Sequence, residues 1–150
     1  MIDSNAILMM LNSLDSSKNA FKSTLDKFIR LSIKIANETE EFQEELKLFD
    51  DKIYHIYISD SDYNIWLKKI GRSVVYNNSY YEENSEGLSV IHFFLTKTTM
   101  KKVITRKIQA ADAFMRGLIK IRGDVSDAMC AKNLLSLFFR YMDYIAYDSD

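Results

Sequence analysis

The sequence predicts an α+β domain, with a five-stranded antiparallel or mixed sheet and helices packed on one of its faces. Three observations carry that expectation. Apolar residues recur at helical spacing as far as Phe49, and beyond it the period changes to two. Three runs rich in Ile, Val, Tyr and Trp then follow at 52–58, 63–70 and 73–77, separated by short polar breaks. The remainder reads strand, helix, strand, helix, so helices flank a meander.

Residues 4–14 read as a short apolar helix, broken around Ser16-Ser17-Lys18-Asn19. A second helix carries Phe21, Leu25, Phe28, Ser32 and Ile35 along one stripe, with Ile29, Ile33 and Ala36 beside it. Asn37 is the expected N-cap of a third helix, with Glu40 as its reciprocal partner, and Phe42, Leu46 and Phe49 give that helix its buried side. Ser59 to Asp62 and Gly71-Arg72 read as hairpin turns, and Tyr76 to Gly87 as a polar excursion. Leu88 to Thr96 is a strand. Met100, Val103, Ile104 and Ile108 mark a helix, and Ala110 to Arg116 a further one closed by Gly117. Leu118 to Arg122 is a last strand, turned at Gly123 into a long helix with Asp124 as its N-cap.

Composition bounds the function. The chain of 150 residues fits a single domain and is long enough to bury a core without disulfides or metals. A net charge of −1 argues against nucleic acid as the main partner. One cysteine, Cys130, forms no internal disulfide and fits a reducing compartment. Asp3 stands where a secretory leader carries bases, and no apolar run approaches the roughly 20 residues of a spanning helix. A cytoplasmic protein without stable membrane insertion is expected.

Strand alternation sorts the side chains into two faces. Ile56 and Ile58, Ile65 and Leu67, Ile91, Phe93 and Leu95, and Ile119 and Ile121 form the expected core-facing set. The opposite face carries Trp66, Val90, His92 and Phe94, so it needs a cover of its own. The added N-terminal helix or a second subunit, making a homodimer, is the expected cover. The last helix also has two apolar stripes, one with Leu134, Phe138, Tyr141 and Ile145, the other with Leu135, Phe139 and Met142. A helix lying on a sheet needs only one. The surplus is read either as core packing plus an interface or as the lining of a ligand tunnel.

The stretch Ala113 to Asp124, Ala-Phe-Met-Arg-Gly-Leu-Ile-Lys-Ile-Arg-Gly-Asp, resembles a signature of the sterol-carrier-protein-type lipid-binding domains. Asn64 to Lys69 is similar to that family's Trp-containing second strand, and Val90 to Thr96 to its fourth strand. The resemblance spans roughly residues 25 to 140 and leaves 1–20 as an addition. Arg106-Lys107 departs from it, since the family usually has a glycine near there. The resemblance implies an apolar tunnel for a sterol, fatty acid or acyl-coenzyme A. Some related domains serve only as dimerising or accessory modules.

Residues that could carry chemistry are few. His55 and His92 lie in separate strands without a metal-ligand spacing, and each reads as a packed or surface residue. Cys130 reads as a buried structural thiol. Asp60 to Asn64 begins like a calcium loop, but Ile65 replaces the required glycine and Gly71 the closing Glu. No cofactor, metal or catalytic residue is expected, and the protein is not read as an enzyme. Lys97, Lys101, Lys102, Arg106 and Lys107 form the one basic cluster, read first as a solvated helix face and otherwise as a site for a lipid headgroup, a coenzyme A phosphate or an anionic membrane surface during loading, with Lys102 and Arg106 as the headgroup or phosphate candidates. The expected function is a non-catalytic carrier of a hydrophobic small molecule. Its cavity lining is Phe93, Leu95, Phe114, Met115, Ile119, Met129, Leu134, Leu135 and Phe138. The alternative is a structural or dimerising module with a filled core.

Overall fold

The computed structural model describes residues 21–79, 87–124, 126, 129, 131–137 and 140. The expected helix over 4–14 lies outside them, as do Cys130 and Phe138. Helix α1 (Phe21–Glu38) is followed by α2 (Glu40–Leu46), then strands β1 (Lys52–Ile58), β2 (Tyr63–Ile70), β3 (Ser73–Asn77) and β4 (Val90–Leu95). Helices α3 (Lys97–Ile104) and α4 (Ala110–Met115) precede the short β5 (Lys120–Arg122). Residues 131–137 are helical and form α5.

The strand order is β3-β2-β1-β4-β5. β1 and β2 are antiparallel, as are β2 with β3 and β4 with β5, whereas β1 and β4 run parallel. The sheet is therefore mixed. Helix α1 places Phe21, Leu25, Phe28, Ile29, Ser32, Ile33, Ile35 and Ala36 inward, the two stripes its spacing defines. Ser32 lies within the apolar face because its hydroxyl donates to the Phe28 carbonyl at 2.7 Å. Tyr63 and Tyr76 tie this helix to the sheet. Tyr76 donates to Asp26 at 2.8 Å, so the 2.5 Å contact between the two phenols is a donation from Tyr63 to Tyr76. Burial pushes the Asp26 carboxyl upward, but hydrogen bonds from Arg30, Tyr76 and Asn78 prevail and hold it below its ordinary value.

Four boundaries differ from expectation. Thr39, not Asn37, is the N-cap of α2, because the Asn37 amide is occupied at Val74. Helix α3 starts at Lys97, where the Thr96 hydroxyl accepts from the Thr99 N–H at 3.3 Å, and it stops before Ile108 because Arg106 turns to φ +61°. Strand β4 is shorter than Leu88 to Thr96. β5 begins at Lys120 because the N–H groups of Leu118 and Ile119 both point to the Ala113 carbonyl, closing α4.

Gly117 (φ +75°) makes that closure, and Gly123 sits where a Cβ would lie 3.2 Å from Ile91 Cγ1. Both positions select glycine.

Candidate ligand-binding site

Pairing sets Ile65, Ile56, Phe93 and Ile121 in one row across β2, β1, β4 and β5, with Tyr63, Ile58 and Leu95 in the row beside it. Alternation puts both rows on the same face, and their residues pack with α1, α2 and α3 in one apolar cluster. The second row is sealed, with Tyr63, Ile58 and Leu95 only 8%, 0% and 6% exposed. In the first row Ile65 is fully buried, yet Ile56, Phe93 and Ile121 are only half-buried. Ile56 and Phe93 stand on the inner strands β1 and β4, and Ile121 on the edge strand β5. Leu134 and Leu135 of α5, also half-buried, pack against the same cluster.

The other expected lining residues are divided. Leu95 and Ile119 belong to the buried cluster. Phe114, Met115 and Met129 stand at the surface, 48%, 81% and 54% exposed. Side-chain placement therefore brings Phe93, Leu95, Ile119, Leu134 and Leu135 to one cluster and leaves those three outside it.

Lys102 and Arg106 line a separate pocket of about 420 Å³ at the corner of α3 and α4. Lys107, Asp112 and Arg116 join them, with Ile108 and Leu118 as apolar lining. Arg116 was not among the expected basic residues. It lies ten positions beyond Arg106, and only the packing of α4 against α3 brings it in. Lys97, counted in the cluster by sequence proximity, instead lies over the Phe21 ring, 5.8 Å from its centre.

On the opposite face of the sheet Val90 and Phe94 are half-buried. Ile53, His55, Trp66 and His92 are buried within the single chain. The two histidines are register partners across β1 and β4, and their Nδ1 atoms are 2.8 Å apart. His55 Nε2 meets Asn64 Oδ1 at 2.7 Å, so it carries the proton, and His55 Nδ1 accepts from His92 Nδ1–H. The Trp66 indole stacks on His55 at 3.9 Å. Among the described residues no group of three or more His, Cys, Asp or Glu is placed to hold a metal ion. Among the same residues no helix is long and apolar enough to cross a membrane.

A mixed five-stranded sheet in the order β3-β2-β1-β4-β5, with helices on one face and an accessible apolar row at its centre, defines a sterol-carrier-type α+β domain. The chain belongs to the SCP-2 sterol transfer family, whose model matches residues 32–136. Its fold is similar to that of apo sterol carrier protein 2 from Yarrowia lipolytica, with a TM-score of 0.58 at 16% identity, covering 83% of this chain and 96% of that one. It is similar to UbiJ-SCP2, a ubiquinone synthesis protein, with a TM-score of 0.58 at 14% identity over 79% of this chain and 98% of that one. It also aligns with the stereoselective inverting sec-alkylsulfatase Pisa1 from a Pseudomonas species, spanning only 13% of that chain and 58% of this one, at 18% identity and a TM-score of 0.47. No curated protein sequence matches the chain.

Proposed function

We propose that this domain binds and carries a hydrophobic ligand, a fatty acid, acyl-coenzyme A or sterol-like lipid, in an apolar cavity between sheet and helices, without a catalytic step. One observation supports this reading above the others: Ile56 and Phe93, paired on the inner strands β1 and β4 on the core face of the sheet, are not sealed by the helices. A sheet interior closed by its own helices would bury that row as completely as it buries Ile58. Phe93 and Leu95 floor the cavity, Ile119 borders it, and Leu134 and Leu135 cover it from the last helix. Phe114, Met115 and Met129, being exposed, belong to its approach. Lys102 and Arg106 receive a headgroup or phosphate. The single cysteine fits a cytoplasmic setting.

The energetics permit it. Each buried methylene contributes roughly 0.8 kcal/mol, so a long acyl chain grosses on the order of 10 kcal/mol before ordering costs remove several. Micromolar to submicromolar binding follows without a specific polar contact.

The test is native mass spectrometry of the purified chain, with displacement of a fluorescent fatty acid. A co-purified lipid or saturable uptake supports the carrier. A ligand-free protein that takes up no fatty acid and runs as a tight dimer supports the structural or dimerising module.

A further inference from the structure

We infer that His55 and His92 form a proton-operated latch across the seam of β1 and β4, closed while one imidazole donates to the other and opened when both rings are charged. Their Nδ1 atoms lie 2.8 Å apart, with the rings at 86° to each other. At that distance one nitrogen donates and the other accepts. Asn64 Oδ1 holds the proton of His55 on Nε2, which leaves His55 Nδ1 as the acceptor. A first added proton keeps the bond, because a charged ring still bonds to a neutral one. A second places N–H on both facing nitrogens, so the bond is lost and two cations meet. His55 and His92 are only 8% and 6% exposed, so water does little to screen that repulsion where they stand. Relief requires the rings to swing apart.

The place of the pair gives the latch its consequence. Among the described strands β1 and β4 form the one parallel joint, which ties β3-β2-β1 to β4-β5. Parallel pairing is slightly the weaker kind per residue. His55 meets His92 one register step from Ile56 and Phe93, so the latch stands on one face and the half-buried apolar pair on the other. Loosening the seam therefore disturbs the cavity floor behind it. Alternation puts Lys68 of β2, and Lys120 and Arg122 of β5, on the histidine face, with Arg122 the register partner of His92. Tyr57 of β1 shares that face, its phenol donating to Asp62. Among the described residues β3 and the remainder of β4 bring no titratable group there. Three cations against one carboxylate resist a second charged ring, and the opened form accepts it more readily, so the closed form loses ground as pH falls. Asp26 and Asp51 are held below the ordinary carboxylate value of 3.8, so they stay ionised where histidine titrates.

Control of ligand release by this latch rests on the carrier reading, whereas the latch itself does not. Trp66, the single tryptophan, stacks on His55 at 3.9 Å and reports the latch directly. The test titrates the full chain from about pH 8 to about pH 4.5. Three signals are followed: Trp66 emission, imidazole nitrogen NMR of the two histidines, and affinity for a fluorescent long-chain alcohol, a probe without a titrating headgroup. The histidines should titrate in two separate steps, with a red shift of Trp66 emission on the second. Alcohol binding should weaken about five-fold across that step, within the roughly ten-fold per pH unit that one linked proton allows. His92→Asn sets an amide near the position of His92 Nδ1, able to donate through nitrogen or accept through oxygen, so it bonds His55 in either charge state. That variant should show neither the red shift nor the loss of affinity. The latch is overturned if the histidines titrate together in one step, if Trp66 emission does not shift, or if a folded His92→Asn shifts as the parent does. Should His92→Asn not fold, the NMR and emission titrations of the parent decide alone. Unchanged alcohol binding across an observed red shift overturns the control of release. No alcohol uptake at any pH sinks the carrier reading, and the emission and NMR titrations still judge the latch.

Discussion

The side-chain amide of Asn37 closes the outer edge of the sheet at Val74: its Nδ2 donates to the Val74 carbonyl at 2.9 Å, and its Oδ1 accepts the Val74 N–H at 3.1 Å. β3 is an edge strand, and an edge residue whose N–H and C=O both point outward offers a template for another chain. One amide therefore replaces the missing strand at that position. Asn37→Ala removes both bonds and is expected to cost about 1–3 kcal/mol, with faster aggregation on mild heating. Urea denaturation and light scattering check this; an unchanged midpoint with unchanged scattering would refute it.

Arg106 occupies the left-handed region at φ +61° and ends α3 there, with the Lys107 N–H reaching back to the Lys102 carbonyl at 2.8 Å. The family resemblance pointed to a glycine near this position, and the backbone explains that preference. The variants Arg106→Gly and Arg106→Ala both lose the guanidinium, so their difference isolates the backbone. Arg106→Gly should be the more stable of the two by about 1 kcal/mol. Thermal unfolding of the pair decides the point, and equal melting temperatures would deny the strain.

How much of this was legible beforehand depended on the range of the interaction. The strands β1, β2 and β3 fall at 52–58, 63–70 and 73–77 as read, because alternation and turn residues are local signals. Asn37 was misread as a helix cap, since its partner Val74 lies 37 positions away. The same separation divides His55 from His92, and only the parallel pairing of β1 with β4 makes them neighbours. Phe114 and Met115 were read as cavity lining because a six-residue helix has too few positions to define a face. Burial of Ala113 turned them outward.

Asp51 and Lys69 give a pH dependence. The Lys69 ammonium is 1% exposed; it donates to the Phe49 carbonyl at 2.5 Å and to Asp51 Oδ1 at 3.0 Å. The Gly71 N–H, first, and then Lys69 hold the Asp51 carboxyl below its ordinary value of 3.8. Its contribution to stability is therefore complete above 3.8 and is lost as pH falls through the lowered folded value. Asp51→Asn should cost roughly 0.5–1 kcal/mol at neutral pH, a value discounted for solvent screening because Asp51 is partly exposed. The gap between variant and parent should close in strongly acidic urea titrations. A gap that stays constant with pH would remove the carboxylate from the account.

The half-buried row at the sheet's centre allows a test that separates vacant space from filled core. Ile56 pairs with Phe93, and both are partly accessible beside the fully buried Ile58 and Ile65. Ile56→Phe adds bulk at that point. In a core already packed to crystal-like density, the extra ring should cost about 1–3 kcal/mol through strain. In a ligand cavity it should be accepted with less than about 0.5 kcal/mol of loss while occupying the ligand's place, so fatty-acid affinity should fall on the order of ten-fold. The two measurements are read together: stability kept with affinity lost supports a cavity against Ile56, and stability lost with no uptake in the parent supports a solid interior. The contrast depends on the pairing of Ile56 with Phe93 and Ile65, which places the added ring over the central strands and away from the sealed row of Tyr63, Ile58 and Leu95.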